Sequence, residues 1–196
     1  MATLLYQGHG SFRLTTDTGK VIYIDPFAGN GYDLPADLIL VTHQHHDHNC
    51  IDLPAKKPSC VIWQSFDALK DGKYNTLSLD FAKVESVEAY NHHHKKEECV
   101  GYIITVDGKT IYFAGDTGET SMMPKLAERK LNYAVLHMDY TYTMDIDETI
   151  RCAKLIAAEH TIPSHMSPGK LFDMERAKKF TAPGALIVRD GESIRL

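Results

Sequence analysis

Thr42-His43-Gln44-His45-His46-Asp47-His48-Asn49 follows directly on the apolar run Leu38-Ile39-Leu40-Val41. The apolar residues read as a short strand buried on both faces. The next seven positions place four imidazoles and a carboxylate at the mouth of that strand. A solvated loop has no reason to concentrate histidine in this way, and a core cannot accept unpaired imidazoles. Neutral imidazole and carboxylate together suit divalent transition metals. The pattern His43-x-His45-x-Asp47-His48 is too compact for one ion to take all four donors. A strand end turning into a loop can aim His43 and His45 at one ion, and Asp47 and His48 at a second. His46 then points away and is a bystander.

The other polar clusters share this placement. Val-Glu-Ala-Tyr90 runs into Asn91 and the triplet His92-His93-His94, and Ile-Tyr-Phe-Ala114 into Gly115-Asp116-Thr117. Val-Leu136 runs into His137-Met138-Asp139, and Thr-Ile-Pro-Ser164 into His165. Seven of the 11 histidines lie in the first two clusters, so the imidazoles are concentrated at strand ends. If these ends share one rim, the donors converge in a cleft held by rigid elements. Asp116 is a lone carboxylate after a strand, and Gly115 permits close backbone approach, which makes it the candidate bridge between two ions.

Between these points the first half of the chain reads mainly as strands. Residues 11–14 and 21–25 form a predicted hairpin, 37–42 a buried strand, and 60–63 and 84–90 further strands. Residues 100–106 and 110–114 flank Asp107-Gly108, a hairpin-turn signal. The second half alternates. Helices are expected over 121–130, 147–159 and 173–179, with Ile146, Ile150, Ala153 and Ala157 as the buried stripe of the middle one. Strands are expected over 133–138 and 161–164, and a closing hairpin over 185–189 and 193–196 around Asp190-Gly191. The pattern is mixed α/β.

The 196 residues suit one domain of ordinary size. The net charge of −5, with no basic stripe, gives no electrostatic support for binding nucleic acid or an anionic membrane. The four cysteines (Cys50, Cys60, Cys99, Cys152) form no CxxC pair and read as reduced thiols, which implies a cytoplasmic protein. No apolar run approaches the length of a membrane span, and the first residues lack the charged start of a signal peptide.

The segment THQHHDHN resembles the THxHxDH signature of the metallo-β-lactamase superfamily. AYNHHHKKEECVGYI, YFAGDTG, TYTMD and IPSH follow in the order of its small, UlaG-like bacterial metal-dependent hydrolase branch. Tyr6-Gln-Gly-His9-Gly-Ser-Phe12 resembles that branch's N-terminal segment. The similarity spans nearly the whole chain. It implies a four-layer αββα sandwich over residues 1–196 with a dinuclear site on one edge. It also implies a ligand set: His43, His45 and a histidine of the triplet for one ion, Asp47, His48 and His165 for the other, and Asp116 between them. Within the triplet the branch's spacing selects His94, while His92 and His93 remain alternatives on the residues alone. The chain departs from the branch at the triplet, at Asp139-Tyr140 where small residues are usual, and at His137 where a nonpolar residue is usual. His9, His137, Asp139 and Tyr140 are therefore candidate cleft residues.

Bland alternatives compete at each position. Asp116 alone reads as a turn or helix N-cap, His165 as a loop histidine, and the triplet as a polar surface loop. His137 reads as a buried, hydrogen-bonded histidine and His160 as a helix end. Met122-Met123 reads as packing. Taken together the expectation is a hydrolase that uses two divalent ions, zinc first and manganese or iron as substitutes. Water activated there attacks an ester, lactone or phosphoester, with Asp47 and Asp116 as the catalytic carboxylates. Two ions outweigh two carboxylates and a hydroxide, so a small anionic substrate is expected. The rival classes are a non-catalytic metal-binding or sensing module and a di-iron redox enzyme on the same ligands.

Overall fold

The computed structural model describes residues 1–196. Strands β1 (Thr3–Gly8), β2 (Ser11–Thr15), β3 (Val21–Ile24), β4 (Ala36–Val41) and β5 (Lys56–Gln64) come first, followed by helix α1 (Ser65–Ala68) and a small hairpin, β6 (Leu69–Lys70) and β7 (Lys73–Tyr74). Then come β8 (Thr76–Ser78), β9 (Lys83–Glu88), β10 (Val100–Val106), β11 (Lys109–Phe113), α2 (Met123–Leu126), β12 (Tyr133–His137), α3 (Ile146–Ile156), β13 (His160–Ser164), α4 (Met174–Ala177) and β14 (Ser193–Arg195). The strands form two six-stranded sheets, ordered β14-β1-β2-β3-β4-β5 and β13-β12-β11-β10-β9-β8. Pairing is parallel along β3-β4-β5 and along β11-β12-β13, and antiparallel elsewhere.

The sheets face each other across the main core, which takes Leu4, Phe12, Leu14, Leu38 and Leu40 from one and Val84, Tyr102, Ile104, Ile111 and Val135 from the other. The alternate residues of β4 point outward, so all six of its positions are buried and the run carries no polar alternation. The outer face of the second sheet is covered by α2, α3 and α4 through Met123, Leu126, Cys152, Ile156 and Ala177. The outer face of the first sheet is covered by loop residues Tyr32, Leu34 and Ile51, which pack on Tyr23, Ile39 and Val41. The two facing sheets form the sandwich that the resemblance implied, with its first outer layer built from loops in place of helix. Loops suffice because Tyr32 stacks on Tyr23 at 5.4 Å and the Tyr23 hydroxyl donates to the Leu34 carbonyl at 2.8 Å.

Four expectations shift. The helix expected over 121–130 is only α2 followed by a 3-10 turn, with Pro124 in its first turn and Lys130 in a left-handed conformation closing it. Helix α3 ends at Ile156 because Ala157 turns left-handed, so its buried stripe is Thr149, Cys152, Ala153 and Ile156, with Ile146 and Ile150 at its margin. His160 accordingly opens a strand, β13, where a helix end was expected. The closing hairpin does not form. Residues 184–186 exchange backbone hydrogen bonds with Thr161 beside β13, whereas β14 pairs with β1 in the other sheet. The Asp190-Gly191 turn carries the chain from one sheet to the other.

Strand direction positions the chemistry. β1 and β3 are each antiparallel to β2, and β4 and β5 run parallel to β3, so all four end on one edge. β9, β11, β12 and β13 likewise share a direction in the second sheet. The two edges are joined where the Val100 amide donates to the Thr42 carbonyl at 3.0 Å and the Tyr102 hydroxyl donates to the Val41 carbonyl at 2.8 Å. Replacing Leu40 by alanine removes a fully buried side chain from between the sheets. We expect a loss of about 2–5 kcal/mol, measured by denaturant unfolding of wild type and variant.

Candidate metal centre

The loops after these co-directed strands bring together His9 (after β1), Asp25 (after β3), His43 to His48 (after β4), His94 (after β9), Asp116 (after β11) and His165 (after β13). His137 is the last residue of β12. Three donor groups result: one, Asp25 with His43 and His48, lies behind the rings, and the other two face the site. The ligand atoms of His43, His45 and His94 lie within 4.8 Å of one another, and so do those of His9, Asp47, His48 and His165. Donors in a tetrahedral zinc shell sit roughly 3.4 Å apart, and His94 Nε2 lies 3.2 Å from His45 Nδ1. Asp116 stands between the groups. Its Oδ2 is 3.4 Å from His94 Nε2 and 3.9 Å from both His43 Nε2 and His165 Nε2, while Oδ1 is 3.6 Å from His48 Nε2.

The far side of three rings, those of His43, His48 and His94, is held by the chain. The Asp25 carboxylate accepts from the Thr42 amide (2.7 Å), the Thr42 hydroxyl (2.6 Å) and His48 Nδ1 (2.9 Å). Having donated to Asp25, the Thr42 hydroxyl accepts from His43 Nδ1 at 3.0 Å. Asn91 Oδ1 accepts from His94 Nδ1 at 2.9 Å. Each contact fixes the tautomer and leaves Nε2 facing the site. The Nε2 atoms of His43, His48 and His165 are buried with no hydrogen-bond partner. Buried nitrogens are rarely left so, and a set of aligned imidazole lone pairs beside two carboxylates fits divalent metal ions.

Protonation follows burial and charge. Burial pushes His43 well below its ordinary range and His94 down to about 4, and lowers His9 and His137. These rings are neutral, as ligation requires. Burial also opposes charge on His48, but Asp116 and Asp25 override it and raise that ring to about 9. Burial opposes ionisation of Asp116, yet His48, His165 and His137 hold it well below the carboxylate range. Asp47 is lowered likewise, its burial outweighed by the imidazoles of His165 and His9, which lie 3.9 and 3.1 Å from its Oδ2.

Of the triplet, only His94 is buried and turned inward; His92 and His93 are exposed. His46 is 89% exposed and lies outside both donor groups. His9 sits inside the second group, with Nε2 3.1 Å from Asp47 Oδ2 and its ring 3.7 Å from that of His165. His137 is buried behind Asp116, with Nδ1 2.6 Å from Oδ1. Asp139 is also buried and backs the site, because its Oδ1 accepts from the amides of Thr141, Tyr142 and Thr143 at 2.9, 2.8 and 2.8 Å. Tyr140 is on the surface, beside Arg176. Asp25, Thr42 and Asn91 escaped the sequence reading. The available signal for Asp25 was an acidic residue at the end of a strand, directly before Pro26.

The backbone is strained around the site. His9, Asp25, Tyr140 and His165 all have positive φ, at 56°, 46°, 76° and 44°, which costs of order 1–3 kcal/mol each and concentrates at functional sites. Gly115, at φ 65°, passes so close to Thr42 that a Cβ there would sit 3.0 Å from the Thr42 side chain.

A family model described as a beta-lactamase superfamily domain matches residues 3–165, a span that contains both donor groups. The chain is 30% identical to a UPF0173 metal-dependent hydrolase from Pyrococcus furiosus, with 100% of both chains covered. It superposes with a TM-score of 0.79 on a crystal structure assigned as a metal-dependent hydrolase from Parabacteroides distasonis, at 28% identity over 96% of this chain and 93% of that one. Igni18, a metallo hydrolase from Ignicoccus hospitalis, gives a TM-score of 0.76 at 25% identity over 98% and 97% of the two chains.

Two measurements test the centre. Asp139 Oδ2 has no partner and lies 3.6 Å from His165 Nδ1, which also has none. In Asp139→Asn the amide oxygen keeps the loop, but the NH2 group then faces Nδ1 and drives the proton to Nε2. We expect metal affinity to fall about 10–100-fold with little change in the melting temperature of the metal-free protein, read by chelator competition and thermal unfolding. Second, the two carboxylates beside His48 favour a proton on it in the metal-free chain, and an ion held by this ring would displace it. Loading at about pH 7.5 then releases about one proton from this ring, and the release vanishes as pH rises through about 9. Calorimetry in buffers of different ionisation enthalpy reads this directly.

Proposed function

The chain belongs to the beta-lactamase superfamily, and from that membership we propose a metal-dependent hydrolase with two divalent ions, zinc first, acting on an ester, lactone or phosphoester of a small anionic substrate. The observation that supports this most is the pair of donor groups flanking one buried carboxylate, Asp116, with unpartnered imidazole nitrogens facing inward. Divalent ions bound there supply Lewis acidity, which lowers the pKa of water from 15.7 toward about 7.

The chain's residues divide the remaining work. His43, His45 and His94 form one ligand set, and Asp47, His48 and His165 the other, with His9 beside Asp47. Asp116 spans both and is held by His137 on the Oδ1 side. Asp47 is the most open carboxylate of the set, its side chain 24% exposed against 4% for Asp116. It stays ionised, so it is the group placed to take a proton and pass it to solvent. No Ser-His or Cys-His nucleophile is required.

The test combines metal content with turnover. Wild type should hold about two divalent ions per chain and hydrolyse generic phosphodiester or lactone substrates. Asp116→Ala and His45→Ala should each lose about 100-fold or more in kcat/KM. A chain whose stability is indifferent to chelation would sink the two-ion reading, and activity persisting in the His45 variant would sink its mechanism. Full occupancy with no turnover would favour a sensing module, and bound iron with visible absorbance a redox enzyme.

A further inference from the structure

The two donor groups that face the site are unequal. The first has three members, His43, His45 and His94, and the second has four, His9, Asp47, His48 and His165. Asp47, His48 and His165, together with Asp116, already offer the four donors of a tetrahedral zinc shell. His9 is the surplus member.

His9 is nonetheless built into the site. Its amide donates to the Leu171 carbonyl at 2.7 Å, and its carbonyl accepts from the His165 amide and the Tyr6 hydroxyl, each at 2.8 Å. These bonds hold its backbone in the left-handed region, at φ 56°. The ring is buried, its centroid 3.7 Å from that of His165 and 5.8 Å from that of His48. Gly10 keeps the following backbone close, because a Cβ there would lie 2.8 Å from His48 Cε1.

His9 also meets the site as His43, His48, His94 and His165 do, through Nε2. That atom lies 3.1 Å from Asp47 Oδ2. Neighbouring donors sit roughly 3.4 Å apart about a tetrahedral ion and roughly 3.0 Å apart about an octahedral one, so one ion can take both atoms. His137 is the contrast: it reaches Asp116 through Nδ1, from behind, and stands outside every donor group. The groups differ, too, in what lies before them. A cavity of about 390 Å³ has His43, His45 and His94 in its wall and no member of the second group.

We propose that His9 is a fourth protein ligand of the second ion, which makes that ion the anchored one and leaves the first, with one donor fewer, to face substrate across the cavity. The inference rests on the two-ion reading above and divides the labour between the ions. Sites that anchor an ion close its shell with side chains, whereas sites that do chemistry keep a position open. The second group therefore fills first as metal is added.

The experiment uses the full-length chain, stripped by a chelator and titrated with cadmium. An NMR-active cadmium isotope couples through the bond to any labelled histidine nitrogen that holds it. At one ion per chain the coupled rings should be those of His9, His48 and His165. At two ions per chain, six rings should couple, the three of each group. Asparagine tolerates the left-handed backbone but is too short to reach the ion, so His9→Asn keeps the fold. It should weaken the second ion more than about 100-fold, beyond the roughly 10–100-fold that an outer hydrogen-bond partner commands, and reverse the order of filling. Two bound ions with an uncoupled His9, or an unchanged second affinity in His9→Asn, would overturn the assignment and leave the two-ion hydrolase standing. The first group filling first in wild type would overturn the anchoring role. Binding of a single ion at saturating cadmium would overturn the two-ion reading and, with it, this division of the sites.

Discussion

Everything at the metal centre hangs on the Asp25 carboxylate. It is 1% exposed, and a charge buried so deeply is tolerable only because three donors reach it. Those donors are the amide and hydroxyl of Thr42 and the Nδ1 of His48. Through them one side chain at the end of β3 sets the exit direction of β4, the tautomer of His48 and, by way of the Thr42 hydroxyl, the tautomer of His43. The same Thr42 accepts the Val100 amide from the opposite sheet. A single buried anion thus orients one imidazole of each donor group at the joint between the sheets.

The site also balances its own protonation. Burial keeps His9, His43, His94 and His137 neutral, which preserves their lone pairs. The exception, His48, lies between two carboxylates that draw a proton onto it. Asp116 meets His137 on one oxygen and the inward-facing nitrogens of both groups around it. A carboxylate placed this way is held firmly at one end and faces donors at the other, an arrangement suited to a rigid bridge.

Much of this was legible in the sequence, for identifiable reasons. The Leu38–Val41 run announced β4 because a strand buried on both faces loses its alternation. The ligand candidates were visible because imidazoles crowd where strands end. What stayed hidden was long-range. Asp25 looks like an ordinary turn aspartate until Thr42 and His48, 17 and 23 residues away, fold against it. Asp139 and Tyr140 are neighbours in the chain, yet one is buried by its own loop amides and the other stands in solvent. The apparent hairpin at 185–196 misled because local turn chemistry cannot say which sheet each arm will join. The short α2 and α4 carry too little periodicity for their ends to be read.

The pairing of β14 with β1 has a bearing on how the molecule is made. Leu4 faces Ile194, and the Leu196 amide donates to the Ala2 carbonyl at 3.0 Å, so β1 is completed by a strand far downstream in the chain. Until then the outer edge of β1 presents unpaired backbone groups, the kind of edge that invites intermolecular pairing. The helices of the second sheet can dock earlier, from contacts nearer in sequence. Folding is therefore ordered: the first sheet waits, edge open, for β14, and the growing chain is prone to aggregate in the interval before residues 193–196 emerge.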